Sequence, residues 1–253
     1  MSEVIFGRSG ELASIERFLD EIAIGPSALL LEGEIGAGKT ALWRAAVAAA
    51  RARGYRVLVC HPAESEASLA FAALGDLLQG VLEEPHPSLP VPQYRALRVA
   101  VLMDDPEGPP PDQRSVSVAT LGIVRSMAGL SPVLVAVDDL QWMDRASARV
   151  LGFVLRRLEA ERVGVVAALR PGEPHLLPTL LDGGLSQRDA HRLTPAPLGP
   201  AALDELFRAR LGESFARPVL PQIATASGGN PLFALEIARG ILRGEVRPET
   251  GEP

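Results

Sequence analysis

The segment from Gly33 to Thr40 constrains the fold of this 253-residue chain more than any other. It reads Gly-Glu-Ile-Gly-Ala-Gly-Lys-Thr, which fits the spacing G-x-x-x-x-G-K-[ST] at every required position. A short apolar run, Ser27 to Leu31, precedes it, and an alanine-rich stretch typical of a helix, Thr40 to Arg53, follows it. Because the pattern needs a strand before the loop and a helix after it, this context predicts a phosphate-binding loop.

Lys39 is the only lysine among the 25 basic residues of the chain. Lysine is a compact charge on a flexible stem, whereas arginine has a planar fork suited to two-point recognition. We therefore expect Lys39 to bridge the β- and γ-phosphates of a nucleotide, while the Thr40 hydroxyl is offered to Mg²⁺. ATP or ADP with Mg²⁺ is thus the expected cofactor. The predicted nucleotide contacts of the loop are Glu34, Ile35, Gly36, Ala37, Gly38, Lys39, Thr40 and Ala41.

Two adjacent acids end another buried strand. Val133 to Val137 is a continuous apolar run of the kind that parallel strands show, and Asp138 and Asp139 follow it. The first acid is predicted to hold Mg²⁺ through water, and the second to orient or deprotonate the attacking water. An Asp pair also commonly opens a turn, but the phosphate loop upstream favours the catalytic interpretation. Many related ATPases carry glutamate at the second position, so the shorter Asp139 predicts slow hydrolysis.

Arg170 follows a further apolar run, Val163 to Leu169. An arginine at a strand end is more often merely solvated. Its position one strand beyond Asp138 nevertheless predicts that it senses the γ-phosphate or stabilises transition-state charge. With Lys39 and Asp139 it completes the predicted catalytic set.

Strand-like apolar runs alternate with helical patterns up to about Pro200. Such alternation implies right-handed crossovers and a parallel sheet with helices on both faces. After Pro200 three segments of helical periodicity follow without strands. The predicted fold is an α/β P-loop NTPase, with a core over residues 1–198 and a helical lid over residues 199–253. Within the core, Ser68 to Leu78 is expected to form one helix, and Asp144 to cap another that runs to about Ala160.

Composition excludes several classes of protein. Acidic residues outnumber basic ones, 31 to 25, and no dense basic run is present, so these residues are not expected to hold DNA or RNA themselves. The single cysteine, Cys60, excludes an internal disulfide framework and fits a reducing compartment. No apolar run approaches the ~20 residues of a membrane helix. We expect a soluble, cytoplasmic protein with no membrane partner.

Several segments together resemble the STAND-type signalling ATPases, which are relatives of the AAA+ proteins. Ile5-Phe6-Gly7-Arg8, followed by Glu11-Leu12, is similar to their entry motif h-h-G-R-x-x-E-L. Asp138 to Asp144 and Ser227 to Leu232 resemble the corresponding sequences of the large ATP-binding LuxR-type transcriptional regulators. The resemblance spans residues 5 to about 243.

The resemblance implies that Phe6, Gly7 and Arg8 lie against the adenine. It also implies that Gly229, Asn230 and Pro231 close over the nucleotide, with Pro231 near the base. It further implies a weak ATPase that acts as a switch: ADP holds a resting form, and ATP with an inducer allows self-association and transcription activation. Those regulators bind DNA through a C-terminal helix-turn-helix that is not visible in these 253 residues. DNA is therefore an expected partner only through a domain absent from this chain.

Three alternatives remain open at this point. One is an AAA+-like remodelling enzyme with fast turnover in a ring, for which a clear arginine finger would be expected. Another is a P-loop kinase, which needs an arginine-bearing phosphate lid and an acceptor site. The third is the ATPase module of a cyclase or protein-kinase signalling protein. The sequence shows no recognisable feature that would select any of the three.

Overall fold

A computed structural model of the chain shows a five-stranded parallel sheet with the strand order β2-β3-β4-β1-β5. The residues that the structure describes are 5–84, 86, 89–106, 108, 110–172 and 190–246. The strands are β1 (Ser27–Glu32), β2 (Arg56–Cys60), β3 (Val133–Val137), β4 (Val163–Leu169) and β5 (Ala190–Leu193). The predicted α/β P-loop NTPase fold is confirmed.

Helices cover both faces of this sheet, which is why its central strands are apolar throughout. β3 and β4 are buried along their whole length, as expected for strands that face helices on both sides. The helices of the core are α1 (Ser9–Ile22), α2 (Lys39–Ala52), α3 (Ala72–Leu78), α4 (Val91–Ala100), α5 (Gln113–Leu130) and α6 (Arg145–Leu155). α1 and α2 pack on one face, and α3, α5 and α6 pack on the other.

The strand order brings four chain segments to one edge of the sheet. The phosphate loop follows β1, His61 follows β2, Asp138 follows β3 and Arg170 follows β4. Since all these strands are parallel, their carboxyl ends lie at the same edge, where α/β proteins of this kind bind ligands. β4 lies between β3 and β1, so Arg170 emerges between the acid pair and the loop.

The last described residues form a small helical unit with its own apolar core. It contains α7 (Pro200–Leu211), α8 (Val219–Ser227) and α9 (Pro231–Leu242). Phe207 and Ala234 are fully buried within it, and Phe6 of the entry segment packs against the same cluster. No helix among the described residues is both long and apolar enough to cross a membrane. The three helices α7–α9 form the small helical lid that was expected after the sheet. Residues 247–253 lie outside the described part of the chain.

The helix expected over Ser68 to Leu78 is shorter in the structure and begins at Ala72. Phe71 has left-handed backbone, with φ of 64°, which interrupts the helical run. The carboxylate of Asp144 accepts hydrogen bonds from the N–H groups of Phe71 (2.9 Å) and Ala73 (3.2 Å). A distant acid thus caps this helix, and its tertiary contact overrides the local periodicity.

The helix that Asp144 caps also ends earlier than expected, at Leu155 rather than near Ala160. Asp144 does cap it, because its side chain accepts from the N–H of Ser147 at 2.9 Å. Beyond the helix, the carboxylate of Glu161 accepts from the N–H groups of Glu159 (2.7 Å) and Ala160 (3.2 Å). Those N–H groups therefore have a partner outside any helix, and the chain turns into β4.

Candidate nucleotide-binding and hydrolysis site

The phosphate loop is closed around the side chain of Lys39. Its ammonium donates hydrogen bonds to the carbonyl oxygens of Gly33 at 2.7 Å and Glu34 at 2.9 Å. The side chain is buried, with 8% of its surface exposed. Lys39 is also the first residue of α2, so the charge lies at a helix N-terminus where backbone N–H groups favour anions. The Lys39 ammonium and the N-terminus of α2 together form a site for phosphate oxygens.

Four charged groups act on Lys39, namely Asp139, Arg170, Asp138 and Glu34, so three predicted site residues from other segments lie near it. Burial lowers the pKa of the ammonium, and the negative charge of Asp139 opposes this effect most strongly among the neighbouring groups. The positive charge of Arg170 lowers the pKa of Lys39 further, and Asp138 raises it. Residues that follow β1, β3 and β4 thus share one electrostatic environment. Arg170 is half-buried there rather than fully solvated.

Thr40 and Asp138 offer oxygen atoms that fit a magnesium ion. The Thr40 hydroxyl donates to Oδ1 of Asp138 at 3.4 Å, and Asp138 is buried. Burial raises the pKa of Asp138, and the adjacent charge of Asp139 raises it further, so a divalent cation would stabilise the ionised form. Mg²⁺ typically uses one or two carboxylates together with phosphates and water. Accordingly, the described residues contain no cluster of three or more His, Cys, Asp or Glu side chains that could hold a metal by themselves.

Asp139 occupies a strained position in a tight turn. Its backbone is left-handed, with φ of 55° and ψ of 53°, and a short 3-10 turn, Leu140–Trp142, follows. Asp and Asn enter this region more readily than other residues that carry a side chain. The turn folds Gln141 back so that its Nε2 donates to Oδ1 of Asp139 at 2.7 Å. Gln141 was not among the predicted site residues, although its place two residues beyond Asp139 was a usable signal.

His61 also lies at the site, which sequence reasoning did not foresee. Its Nδ1 is 3.9 Å from Oδ2 of Asp138, and its ring packs edge-on against Trp43 of α2. The sequence places His61 immediately after β2, but only the pairing of β2 with β3 brings it beside Asp138. A residue that looked isolated along the chain therefore borders the predicted metal ligand.

Arg8 connects the entry segment to the phosphate loop. This guanidinium is buried and donates to Oε1 of Glu11 (2.8 Å), to the carbonyl oxygen of Ala37 (2.9 Å) and to that of Ala196. Burial raises the pKa of Glu11, but hydrogen bonds from its own N–H, the N–H of Ala196 and Arg8 lower it below its ordinary value. The Arg8–Glu11 pair thus joins the entry segment, the loop and the chain leading to α7.

The N-terminus of α9 docks directly on the phosphate loop. Asn230 caps α9 by accepting from the N–H of Leu232 at 3.0 Å, and its own Nδ2 donates to the carbonyl oxygen of Ile35 at 2.8 Å. The Leu232 N–H also approaches the carbonyl oxygen of Gly36 at 3.4 Å. A Cβ on Gly36 would lie 2.7 Å from Oδ1 of Asn230, so only glycine permits this contact. We call these contacts the lid latch.

A cleft of about 480 Å³ lies beside the loop, between the entry segment and the lid. It contains several predicted adenine contacts, namely Phe6, Arg8 and Pro231, together with Ala41. Gly7 and Asn230 border these residues in the chain. Most of the remaining wall is apolar and includes Leu198, Leu206, Leu232 and Leu235. Two lid arginines that were not predicted, Arg210 and Arg239, also line the cleft. This volume and largely apolar lining suit a nucleobase.

The residues at the two ends of this region therefore fit the two ends of a Mg²⁺-bound nucleotide. At one end, a helix N-terminus, a buried ammonium and a hydroxyl–carboxylate pair offer what phosphates and a hard cation require. At the other, the cleft offers apolar walls to a flat ring. Glu34, Ile35, Gly36, Ala37 and Gly38 form the connecting loop between β1 and α2.

Several solved structures share this fold at low sequence identity. The ORC2 protein of Aeropyrum pernix in its ADP form aligns with a TM-score of 0.57 and 15% identity, over 96% of this chain and 65% of that one. The Aeropyrum pernix ORC1 protein in complex with DNA gives 0.55 and 17%, over 97% and 62%. A Walker-type ATPase of Pyrococcus abyssi gives 0.52 and 17%, over 95% and 74%.

The chain thus spans about three quarters of the Pyrococcus protein and under two thirds of the two Aeropyrum proteins. At these identities the likeness shows the fold. No curated protein matches the chain.

A protein-family comparison extends these likenesses to the sequence. The AAA ATPase domain family matches residues 4–166, which is more than half of the chain. The match includes the entry segment, the phosphate loop and the acid pair, and this family binds nucleotide, typically with Mg²⁺. The chain belongs to the AAA ATPase domain family.

Proposed function

We propose that this chain is an ATP/ADP-binding switch module with slow ATP hydrolysis, of the kind found in large LuxR-type transcriptional regulators. The observation that carries the proposal is the lid latch. Asn230 and Leu232 contact the carbonyl oxygens of Ile35 and Gly36, which belong to the loop that would surround the phosphates. A change in the conformation of the loop on γ-phosphate binding would therefore be transmitted to the lid by direct contact.

The roles of the site residues follow from their positions. Lys39 and the N-terminus of α2 would hold the phosphates, and Thr40 with Asp138 would hold Mg²⁺. Asp139 would orient the attacking water, and Arg170 would respond to the γ-phosphate from the end of β4. Bound Mg²⁺ would supply charge neutralisation at the phosphate oxygens.

The sequence resemblance supports a switch rather than a motor. ADP would stabilise a resting form, and ATP would favour self-association. A near-complete swing between two such states requires that a ligand discriminate between them by ~5.5 kcal/mol. Contact with DNA would come through another domain of a longer protein, since acidic residues outnumber basic ones here, 31 to 25. The division into a core over residues 1–198 and a lid over residues 199–253 is part of the same proposal.

The nucleotide content and turnover of the purified protein test this function. We expect the protein to retain ADP, identified after acid release by anion-exchange chromatography. Under saturating Mg-ATP we expect turnover below ~1 s⁻¹, under the typical enzyme range. Turnover of many ATP per second would favour a motor instead. Failure to bind either nucleotide would overturn the proposal altogether.

A further inference from the structure

We propose that Gln141 is a positioning residue for hydrolysis, which fixes the carboxylate of Asp139. This inference rests on the proposed ATPase function and adds a residue to it. Gln141 would touch neither nucleotide nor metal, and would act through Asp139 alone.

The turn after β3 creates the contact. Asp139 has left-handed backbone, and the N–H of Trp142 donates to its carbonyl oxygen at 3.0 Å, which closes a 3-10 turn. This turn returns the side chain of Gln141 to the acid, where Nε2 lies 2.7 Å from Oδ1. Within the described part of the chain, no other side chain is seen to hydrogen-bond the Asp139 carboxylate.

The chemistry of the pair fixes the orientation of the Gln141 amide. An ionised carboxylate only accepts hydrogen bonds, so the NH₂ end must face Asp139 and the carbonyl end must face away. Gln141 is 8% exposed, and its Oε1 is buried and accepts no hydrogen bond from the described residues. The hydrogen bond to Asp139 is thus the polar contact that places the Gln141 amide among the described residues.

The arrangement also explains how a short acid serves at this position. Aspartate suits the left-handed backbone, but its carboxylate can rotate among several conformers once it is unsupported. A misplacement of ~1 Å in a catalytic group can lower the rate by up to about 100-fold. A charge-assisted hydrogen bond from Gln141 restricts that rotation. Loss of this bond should therefore lower the rate of the chemical step and leave nucleotide affinity unchanged.

The test compares four proteins by single-turnover hydrolysis of Mg-ATP and by calorimetric titration with ADP: the wild type, Gln141→Leu, Gln141→His and a control, Gln79→Leu. Leucine removes the donor at similar volume, whereas histidine retains an N–H donor. Gln79 is an exposed glutamine directly after α3. We expect Gln141→Leu to hydrolyse ATP about tenfold more slowly, with ADP affinity within about twofold of the wild type. Gln141→His should recover part of the rate, and Gln79→Leu should match the wild type.

Epistasis with Asp139 separates positioning from packing. In an Asp139→Asn background, Gln141→Leu should produce no further loss, because the group it positions is already disabled. A packing role predicts the same relative loss in both backgrounds, together with a lower Tm. If Gln141→Leu does not fold, Gln141→Glu takes its place, since it keeps the length and replaces the donor with a repelling acceptor.

An unchanged rate in Gln141→Leu, or an equal loss in the Asp139→Asn background, would overturn this inference alone. A wild-type protein that binds ATP but releases no phosphate would overturn the proposed hydrolysis, and the inference with it.

Discussion

The two ends of the nucleotide site differ in how they are built. The phosphate end consists of strand ends and one helix N-terminus, and its key atoms are fixed by hydrogen bonds, such as the two from Lys39 to loop carbonyl oxygens at 2.7 and 2.9 Å. The proposed base end is a cleft of about 480 Å³ between the entry segment and the lid, lined mainly by apolar side chains. Groups at the phosphate end are thus pre-organised by the sheet, whereas the cleft lies between the entry segment, α7 and α9, which are distant in sequence.

This contrast indicates a division of labour. Pre-organised charges give strong and specific interactions because little has to be ordered on binding. An apolar cleft offers non-directional contacts, each of which is individually weaker. We therefore expect substitutions at the phosphate end to abolish binding or hydrolysis, and substitutions at the cleft to adjust affinity.

The largest effect is expected at Asp139. Asp139→Asn removes the predicted base while keeping the shape of the side chain, so hydrolysis should fall by about 10²–10⁴-fold with nucleotide affinity preserved. Phosphate release under single-turnover conditions measures the first quantity, and calorimetry measures the second. If binding were lost instead, the roles assigned to Asp138 and Asp139 would be wrong.

Lys39→Ala should have the next largest effect, on binding. It removes the buried ammonium of the phosphate end, and the affinity for ATP should fall by about 100-fold, as expected for loss of charge-assisted bonds to phosphates. Arg51→Ala is the matched control, because Arg51 is an exposed cation in the last turn of the same helix. Equal affinities for the two variants in calorimetry would refute the phosphate-loop assignment.

The lid latch joins the two ends, and a substitution in it should have an intermediate effect on nucleotide affinity. Asn230→Ala removes the cap of α9 and the bond to Ile35, and should weaken both ADP and ATP binding about tenfold. Asp112→Ala serves as its control, because Asp112 caps α5 through the N–H of Ser115. Both variants should lower Tm by similar amounts. A similar loss of nucleotide affinity in Asp112→Ala would show that the latch has no specific role.

The smallest effect is expected in the cleft. Leu235→Ala removes apolar surface from its wall, and ATP affinity should fall about fivefold, as for loss of ~1 kcal/mol of apolar contact. Binding of inorganic tripolyphosphate, which has no base, should not change. Leu242→Ala, at the exposed end of the same helix, is the control. Equal weakening of ATP and tripolyphosphate would mean that the cleft does not receive the base.

The sequence predicted the elements around the phosphate loop well because these elements are local. The spacing from Gly33 to Thr40 specifies a loop between a strand and a helix, and the structure contains β1, that loop and α2 in this order. Asp138 and Arg170 were located by the apolar runs that precede them. The predicted roles of these residues stay predictions until the variants are measured.

The sequence predicted less where distant segments meet. The helix boundary at Ala72 depends on the Asp144 carboxylate, 72 positions away along the chain. His61 is beside Asp138 only because β2 pairs with β3. Such contacts leave no periodic trace, since they depend on strand order and not on the residues next to them.

The sequence by itself thus determined a parallel α/β sheet with a phosphate loop and an acid pair, because apolar periodicity and glycine spacing are properties of neighbouring residues. Only the tertiary structure decided how these parts meet. It placed Asn230 on the loop, gathered the four strand ends at one edge and turned Gln141 back onto Asp139. The physical reason is that strand order, lid docking and side-chain packing depend on the free energy of the whole fold. The residues of one short segment do not determine that free energy.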